Sequence, residues 1–170
     1  MSRKTRWQGY QTPELEEREG EGWYRPEFDP EKEGQVAVGT DIIEIARIQR
    51  TLNDFGERFL KRVYTARERA WYGDRVDELA ARFAAKEATS KALGTGIIGI
   101  RWREMEVLPN RRGKPVLILH GQAAERARQL GLMHFSISLT HSRTDAMAFI
   151  VATGSGLAVS AKDLLPGGNM

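Results

Sequence analysis

Phe83-Ala84-Ala85-Lys86-Glu87-Ala88-Thr89-Ser90-Lys91-Ala92-Leu93-Gly94 is the stretch on which the fold turns. Its alanines and unbranched side chains favour a helix. Just upstream, Val76, Leu79, Ala80 and Phe83 recur at helical spacing and mark a core-facing stripe. Extended from Phe83 in steps of four, that stripe meets Glu87 and then Lys91. A carboxylate and an ammonium thus stand where the pattern asks for apolar groups. Burying a charge costs several kcal/mol unless it is paired or bound to an ion. The alternative is a solvated Glu-to-Lys pair four residues apart, which contributes a few tenths of a kcal/mol. Spacing alone leaves both open.

On the N-terminal side, residues 35–39 (Gln35-Val36-Ala37-Val38-Gly39) read as a short strand ending at Thr40-Asp41. A long amphipathic helix follows, with Ile45, Ile48, Leu52, Phe55 and Phe59 on one face and Arg47, Arg50, Asp54, Arg58 and Lys61 on the other. A second helix is expected over 65–73 and a third over 76–93, stopped by Gly94. Beyond it the pattern turns to strands over 100–108 and 115–120, around the turn Asn110-Arg111-Arg112-Gly113. A short helix over 122–130 precedes two alternating strands, one through Phe135, Ile137 and Leu139, the next through Met147, Phe149 and Val151. The fold class is α+β: an antiparallel sheet with helices packed on one face, in one copy without internal repeat.

With 170 residues the chain suits one domain plus tails. Residues 1–34 carry six Lys/Arg against nine Asp/Glu, a net of −3. Broken by Pro13, Pro26 and Pro30, they have the composition of a flexible, charged extension. Their five aromatics, among them Trp7 and Trp23, exceed what a solvated tail needs. The domain is expected over 35–153, with 19 basic and 13 acidic residues (a net of +6), and 154–170 form a C-terminal tail. That charge suits a phosphate-bearing or acidic partner, and equally suits plain solubility. The absence of cysteine excludes disulfide and thiol chemistry. Without a signal-peptide pattern or an apolar run of bilayer length, the expectation is a soluble cytoplasmic protein with no membrane association.

Asp41 has two readings. With Glu44 three residues on, it forms a capping-box arrangement, and an Asp N-cap contributes about 1 kcal/mol. It is also a carboxylate at a strand end, able to share a hard cation with a second carboxylate such as Glu87. Mg²⁺ is typically held by one or two carboxylates together with substrate phosphates.

Val38-Gly39-Thr40-Asp41-Ile42-Ile43-Glu44-Ile45-Ala46-Arg47 resembles the opening signature of the 4′-phosphopantetheinyl transferases, in particular their holo-[acyl-carrier-protein] synthase group. Phe83 to Ala88, with Lys91-Ala92-Leu93-Gly94, is similar to that family's second signature. Gly113-Lys114-Pro115 and Ser136-Ile137-Ser138-Leu139-Thr140-His141 resemble the later ones. Any one would be weak; four in order, spanning Val36 to about Val151, are specific.

The resemblance implies an enzyme that moves the phosphopantetheine arm of coenzyme A onto a serine of an apo acyl carrier protein, with release of adenosine 3′,5′-bisphosphate. It implies that Asp41 and Glu87 hold Mg²⁺, that Glu87 or a metal-bound water takes the serine proton, and that Lys91 neutralises phosphate charge. Phosphoryl transfer rests mainly on such positioning and neutralisation. Gly94-Thr95-Gly96 follows a helix and so is no phosphate-binding P-loop. By resemblance, Lys91, Gly94, Lys114, Pro115 and His141 contact coenzyme A, and the tip arginines Arg111 and Arg112 could reach its ribose phosphate. Arg47 matches the family's docking arginine for the acidic carrier; Arg50 and Arg58 are added because they share its face. The resemblance further implies a place in lipid metabolism such as fatty acid biosynthesis, and a homotrimer with sites between subunits. Two other classes remain beside it, a basic nucleic-acid-binding module and a non-catalytic interaction protein. The chain shows no RNP-type aromatic signature, and nucleic acid is not an expected partner.

Overall fold

A computed structural model describes residues 36–154; the 1–34 extension and the tail from 155 onward lie outside the described residues. Strand β1 (Val36–Glu44) leads into helices α1 (Ile45–Val63), α2 (Ala66–Tyr72) and α3 (Val76–Ala92). A 3₁₀ turn (Trp102–Glu104) precedes β2 (Met105–Pro109) and β3 (Pro115–Leu119). Then come α4 (Gly121–Gln129), β4 (Leu132–His141) and β5 (Asp145–Gly154). β1, β5 and β4 pair antiparallel in that order, and β2 and β3 form a separate two-stranded ribbon. The α+β expectation holds, with two antiparallel units among the described residues instead of one sheet.

α3 is the centre of the molecule. Leu79, Ala80, Ala84, Ala85 and Ala88 are wholly buried, and small side chains let the helix lie close to the sheet. Its buried hydroxyls are satisfied within the helix: Thr89 Oγ1 donates to the Ala85 carbonyl at 2.7 Å and Ser90 Oγ to that of Glu87 at 2.8 Å. The facing side of β5 presents Ala146, Ala148, Ile150 and Ala152, all buried. Alternation places Met147 and Phe149 on the other side of the sheet, beside exposed Val38 and Ile42 of β1.

Several sequence expectations change at this level. β1 does not stop at Asp41 but runs to Glu44, which is itself the N-cap of α1 and makes no side-chain capping bond. The capping-box reading of Asp41 is therefore wrong: ladder pairing of Thr40 to Glu44 with β5 outcompetes early helix initiation. α1 is broken at Gly56, whose φ of 45° and ψ of −128° suit glycine alone. Phe55, expected in the core, is consequently 58% exposed, while Leu60 and Val63 beyond the break are buried. The strand expected over 100–108 begins at Met105, because 102–104 wind into the 3₁₀ turn. The second helix lies within its expected span, and the structure adds a capping box there: Thr65 and Glu68 exchange bonds at 3.2 and 2.8 Å.

Candidate active site

Asp41 sits in the middle of β1, opposite Ala148 of β5. Two residues earlier, Gly39 is buried against α3, and a β-carbon there would stand 1.9 Å from the Ala88 carbonyl oxygen. Only a glycine permits that approach, and it brings the stretch Glu87 to Lys91 alongside Thr40 and Asp41. Lys91 Nζ donates to Asp41 Oδ1 at 2.8 Å and to the Thr40 carbonyl at 2.9 Å. The solvated Glu87–Lys91 pair considered from spacing is thus displaced by a contact between elements fifty residues apart. Glu87 is half-buried, and its carboxyl is held above the usual carboxylate range by burial and by the charge of Asp41. Lys91 and Arg47 act in the opposite sense.

Two carboxylates close enough to oppose each other's ionisation, with oxygen donors only, suit a hard divalent cation. No group of three or more His, Cys, Asp or Glu is gathered for a metal among the described residues. A Mg²⁺ ion held by Asp41 and Glu87 would therefore draw its other ligands from substrate phosphates and water, the usual arrangement for this ion. The donor set fits the metal.

The α3 terminus is closed by a Schellman arrangement. The Thr95 N–H donates to the Ser90 carbonyl at 3.2 Å and the Gly94 N–H to that of Lys91 at 3.0 Å, with Gly94 at φ +68°. Arg126 Nε, from α4, donates to the Leu93 carbonyl at 3.2 Å. Gly94 is thereby fixed one helical turn from Lys91.

Lys114, Pro115 and His141 meet elsewhere. They line a groove of about 410 Å³ together with Ser138, Glu78 and Arg82. None of Asp41, Glu87 and Lys91 lines it. His141 is exposed, with Nε2 3.9 Å from Asp77 Oδ2. Arg82 is a groove residue that the sequence reading does not single out. It is buried, ion-paired to Glu78 and stacked over the Tyr72 ring at 3.7 Å. Its signal was an arginine immediately before Phe83, in a run otherwise built to be buried. Arg47 lies near Glu87, and exposed Arg50 is 3.8 Å from Glu44. Arg58 follows the break at Gly56, so helical spacing from Arg47 no longer places the two on one face.

A model of the 4′-phosphopantetheinyl transferase superfamily matches residues 37–148. The chain belongs to that superfamily. The holo-[acyl-carrier-protein] synthase of Herpetosiphon aurantiacus is 47% identical over 126 residues, covering 70% of this chain and 99% of that protein. The synthase of Solibacter usitatus is 44% identical over 120 residues, covering 68% and 96%. Among solved structures, the Neisseria meningitidis synthase superposes with a TM-score of 0.64 at 35% identity, covering 68% of this chain and 96% of that one. The Helicobacter pylori synthase, solved in complex with coenzyme A, gives 0.63 at 28% identity, covering 68% and 99%. The chain is thus a phosphopantetheinyl transferase of the holo-[acyl-carrier-protein] synthase group. All four signatures lie within the described residues, the second running just past the end of α3 and the third beginning in the turn before β3.

Proposed function

We propose that this protein transfers the 4′-phosphopantetheine arm of coenzyme A to a serine hydroxyl of an apo acyl carrier protein in an Mg²⁺-dependent reaction. The observation that carries the proposal is the convergence of Asp41, Glu87 and Lys91 from β1 and α3. Asp41 and Glu87 would hold the metal, which supplies charge neutralisation at the diphosphate. Lys91, already within hydrogen-bond reach of Asp41, offers a second cation to the same phosphates. Glu87, gathered with Asp41 and Lys91 at the same site, would take the serine proton. The serine oxygen forms a bond to the phosphorus bearing the pantetheine arm. The bond from that phosphorus to the adenosine 5′-phosphate oxygen breaks, and adenosine 3′,5′-bisphosphate leaves.

In the groove of Lys114, Pro115, His141 and the Glu78–Arg82 ion pair, Lys114 is the cation left to meet the nucleotide's phosphates. Since it shares no lining residue with Asp41 and Glu87, the two halves suit adjoining subunits of a homotrimer. The exposed Val38, Ile42 and Phe149 on the sheet face away from α3 provide the apolar surface for that assembly. Arg47, beside Glu87, is placed to bring the acidic carrier to the metal, with Arg50 on the same turn of α1. No helix among the described residues is long and apolar enough to cross a membrane, and a cytoplasmic role in supplying carriers for fatty acid synthesis accords with this. Removal of divalent cations with EDTA tests the proposal. Formation of adenosine 3′,5′-bisphosphate should stop and return on addition of Mg²⁺. Undiminished product at full chelation would refute the metal's part.

A further inference from the structure

The most deeply buried charge in α3 is not Glu87 but its neighbour. Lys86 is fully buried, and its ammonium uses all three donors: Glu68 Oε2 at 2.9 Å, the Trp102 carbonyl at 3.1 Å and the Met105 carbonyl at 2.6 Å. Glu68, on α2, is equally buried and equally occupied. Its Oε2 also accepts from the Thr65 N–H at 2.8 Å and its Oε1 from the Val107 N–H at 2.9 Å. Beyond it, Thr65 Oγ1 donates to Glu106 Oε1 at 2.5 Å, and Glu106 is held in turn by Arg67 at 2.5 Å and by His120 at 3.1 Å. One continuous polar network thus joins α2, α3, the 3₁₀ turn, β2 and the start of α4.

A buried ion pair is a weak source of stability, since well-packed apolar groups of similar volume serve as well or better. What it enforces is geometry. Successive helical residues are about 100° apart around the axis and about 1.5 Å along it. Any rotation or slip of α3 would leave Lys86 or Glu68 charged, buried and unpaired. Apolar α3 residues such as Ala84 and Ala85 could tolerate such a shift; Lys86 cannot. We propose that the Lys86–Glu68 pair fixes the rotation and register of α3 and thereby holds Glu87 against Asp41. Lys86 and Glu68 are on this account positioning residues, acting through Glu87 from about 100° around the helix. The proposal rests on Asp41 and Glu87 being metal ligands, and outer partners of metal ligands typically govern affinity by about 10–100-fold.

The test is direct binding of Mn²⁺, a paramagnetic substitute for Mg²⁺, measured by electron paramagnetic resonance in the presence of coenzyme A. Four full-length proteins are compared: wild type, Glu87→Gln, Lys86→Met/Glu68→Gln, and Leu132→Ala. The last is a destabilised core control whose side chain has no polar atom and so takes no part in the network's hydrogen bonds. The double variant removes both charges together, so neither is stranded. The expected result is a Kd for Mn²⁺ raised about tenfold or more in the double variant at a temperature where all four are folded. The control should bind as wild type does. If Glu87→Gln weakens binding but the double variant does not, the positioning proposal fails. If Glu87→Gln itself changes nothing, the metal reading fails instead. Should the double variant not fold, Glu68→Asp keeps the charge and shortens its arm by one methylene. A Kd raised at least about threefold supports the pin, and wild-type affinity overturns it.

Discussion

Gly39 packs so tightly on Ala88 that a β-carbon on the glycine would lie 1.9 Å from the alanine's carbonyl oxygen and 3.0 Å from the Ala92 nitrogen. Both obstacles are backbone, so neither can rotate away. This contact sets the separation of β1 from α3 and hence that of Asp41 from Glu87 and Lys91.

Gly39→Ala should therefore do more than destabilise. Overpacking at a rigid contact typically costs about 1–3 kcal/mol, readable as a lower denaturation midpoint. Displacing the reacting groups by about 1 Å can cost about 100-fold in rate. Turnover at a temperature where the variant is folded should fall by that order. Normal turnover by a folded variant would mean that the strand–helix spacing is not what assembles the site.

Glu87→Gln separates function from stability. The folded protein holds the Glu87 carboxyl above its ordinary range, so it binds this proton more readily than the unfolded chain does. Stability is then lost as pH rises through that interval, and at neutral pH the ionised side chain is a liability. In chelator, the glutamine variant should melt at a higher temperature than wild type; with Mg²⁺ restored, it should be slower in transfer by about 100-fold or more. A lower melting temperature would show that Glu87 is held by favourable contacts instead. Such exchange of stability for activity is common where catalytic charges are partly desolvated.

Glu106 makes the opposite prediction. Hydrogen bonds chiefly from Arg67, then from Thr65 and His120, hold its carboxyl down at about 2 against an ordinary 4.5, although burial opposes them. This contribution is complete above about pH 4.5 and is lost as pH falls toward 2. Its ceiling is on the order of 3 kcal/mol. Denaturant titrations between pH 2 and 5 should show a steep fall in wild-type stability and a shallower one in Glu106→Gln. Parallel curves would assign the acid sensitivity elsewhere.

Much of this was legible in the chain. Helical spacing locates α3, and alternation locates β4 and β5; the Thr65–Glu68 capping box that opens α2 is seen only in the structure. Glu87 and Lys91 stand out as charges on an apolar stripe and Asp41 as a carboxylate at a strand end, and the fold brings all three together. Periodicity failed where a single backbone angle intervened: nothing in the spacing of Ile45 to Phe59 betrays the break at Gly56. It also pointed to the wrong buried charge. A stripe in steps of four assumes one buried face, whereas α3 is enclosed on nearly all sides, and Lys86 is satisfied by carbonyls of residues 102 and 105. Partners that distant in sequence leave no local pattern. The groove was half visible, since Lys114 and His141 were named while Arg82 was not.

The exposed sheet face carries the expectation of assembly. Phe149 is 42% exposed and Val38 53%, both facing away from α3. Phe149→Asp should convert a sedimenting trimer to monomer with loss of transfer and an unchanged circular dichroism spectrum. A chain begun at Gln35 should sediment and turn over like the full one. An active monomer would contradict a site shared between subunits, and an inactive shortened chain would give the extension a role.

The central claim is that Asp41 and Glu87, brought together across β1 and α3, support transfer of the phosphopantetheine arm. The most direct measurement is the intact mass of an apo acyl carrier protein after incubation with coenzyme A, Mg²⁺ and this protein. Wild type should add one phosphopantetheine per carrier, whereas folded Asp41→Ala and Glu87→Gln proteins should leave the carrier unmodified over the same period. A carrier left unmodified by wild type, or modified equally fast by either variant, would contradict the account.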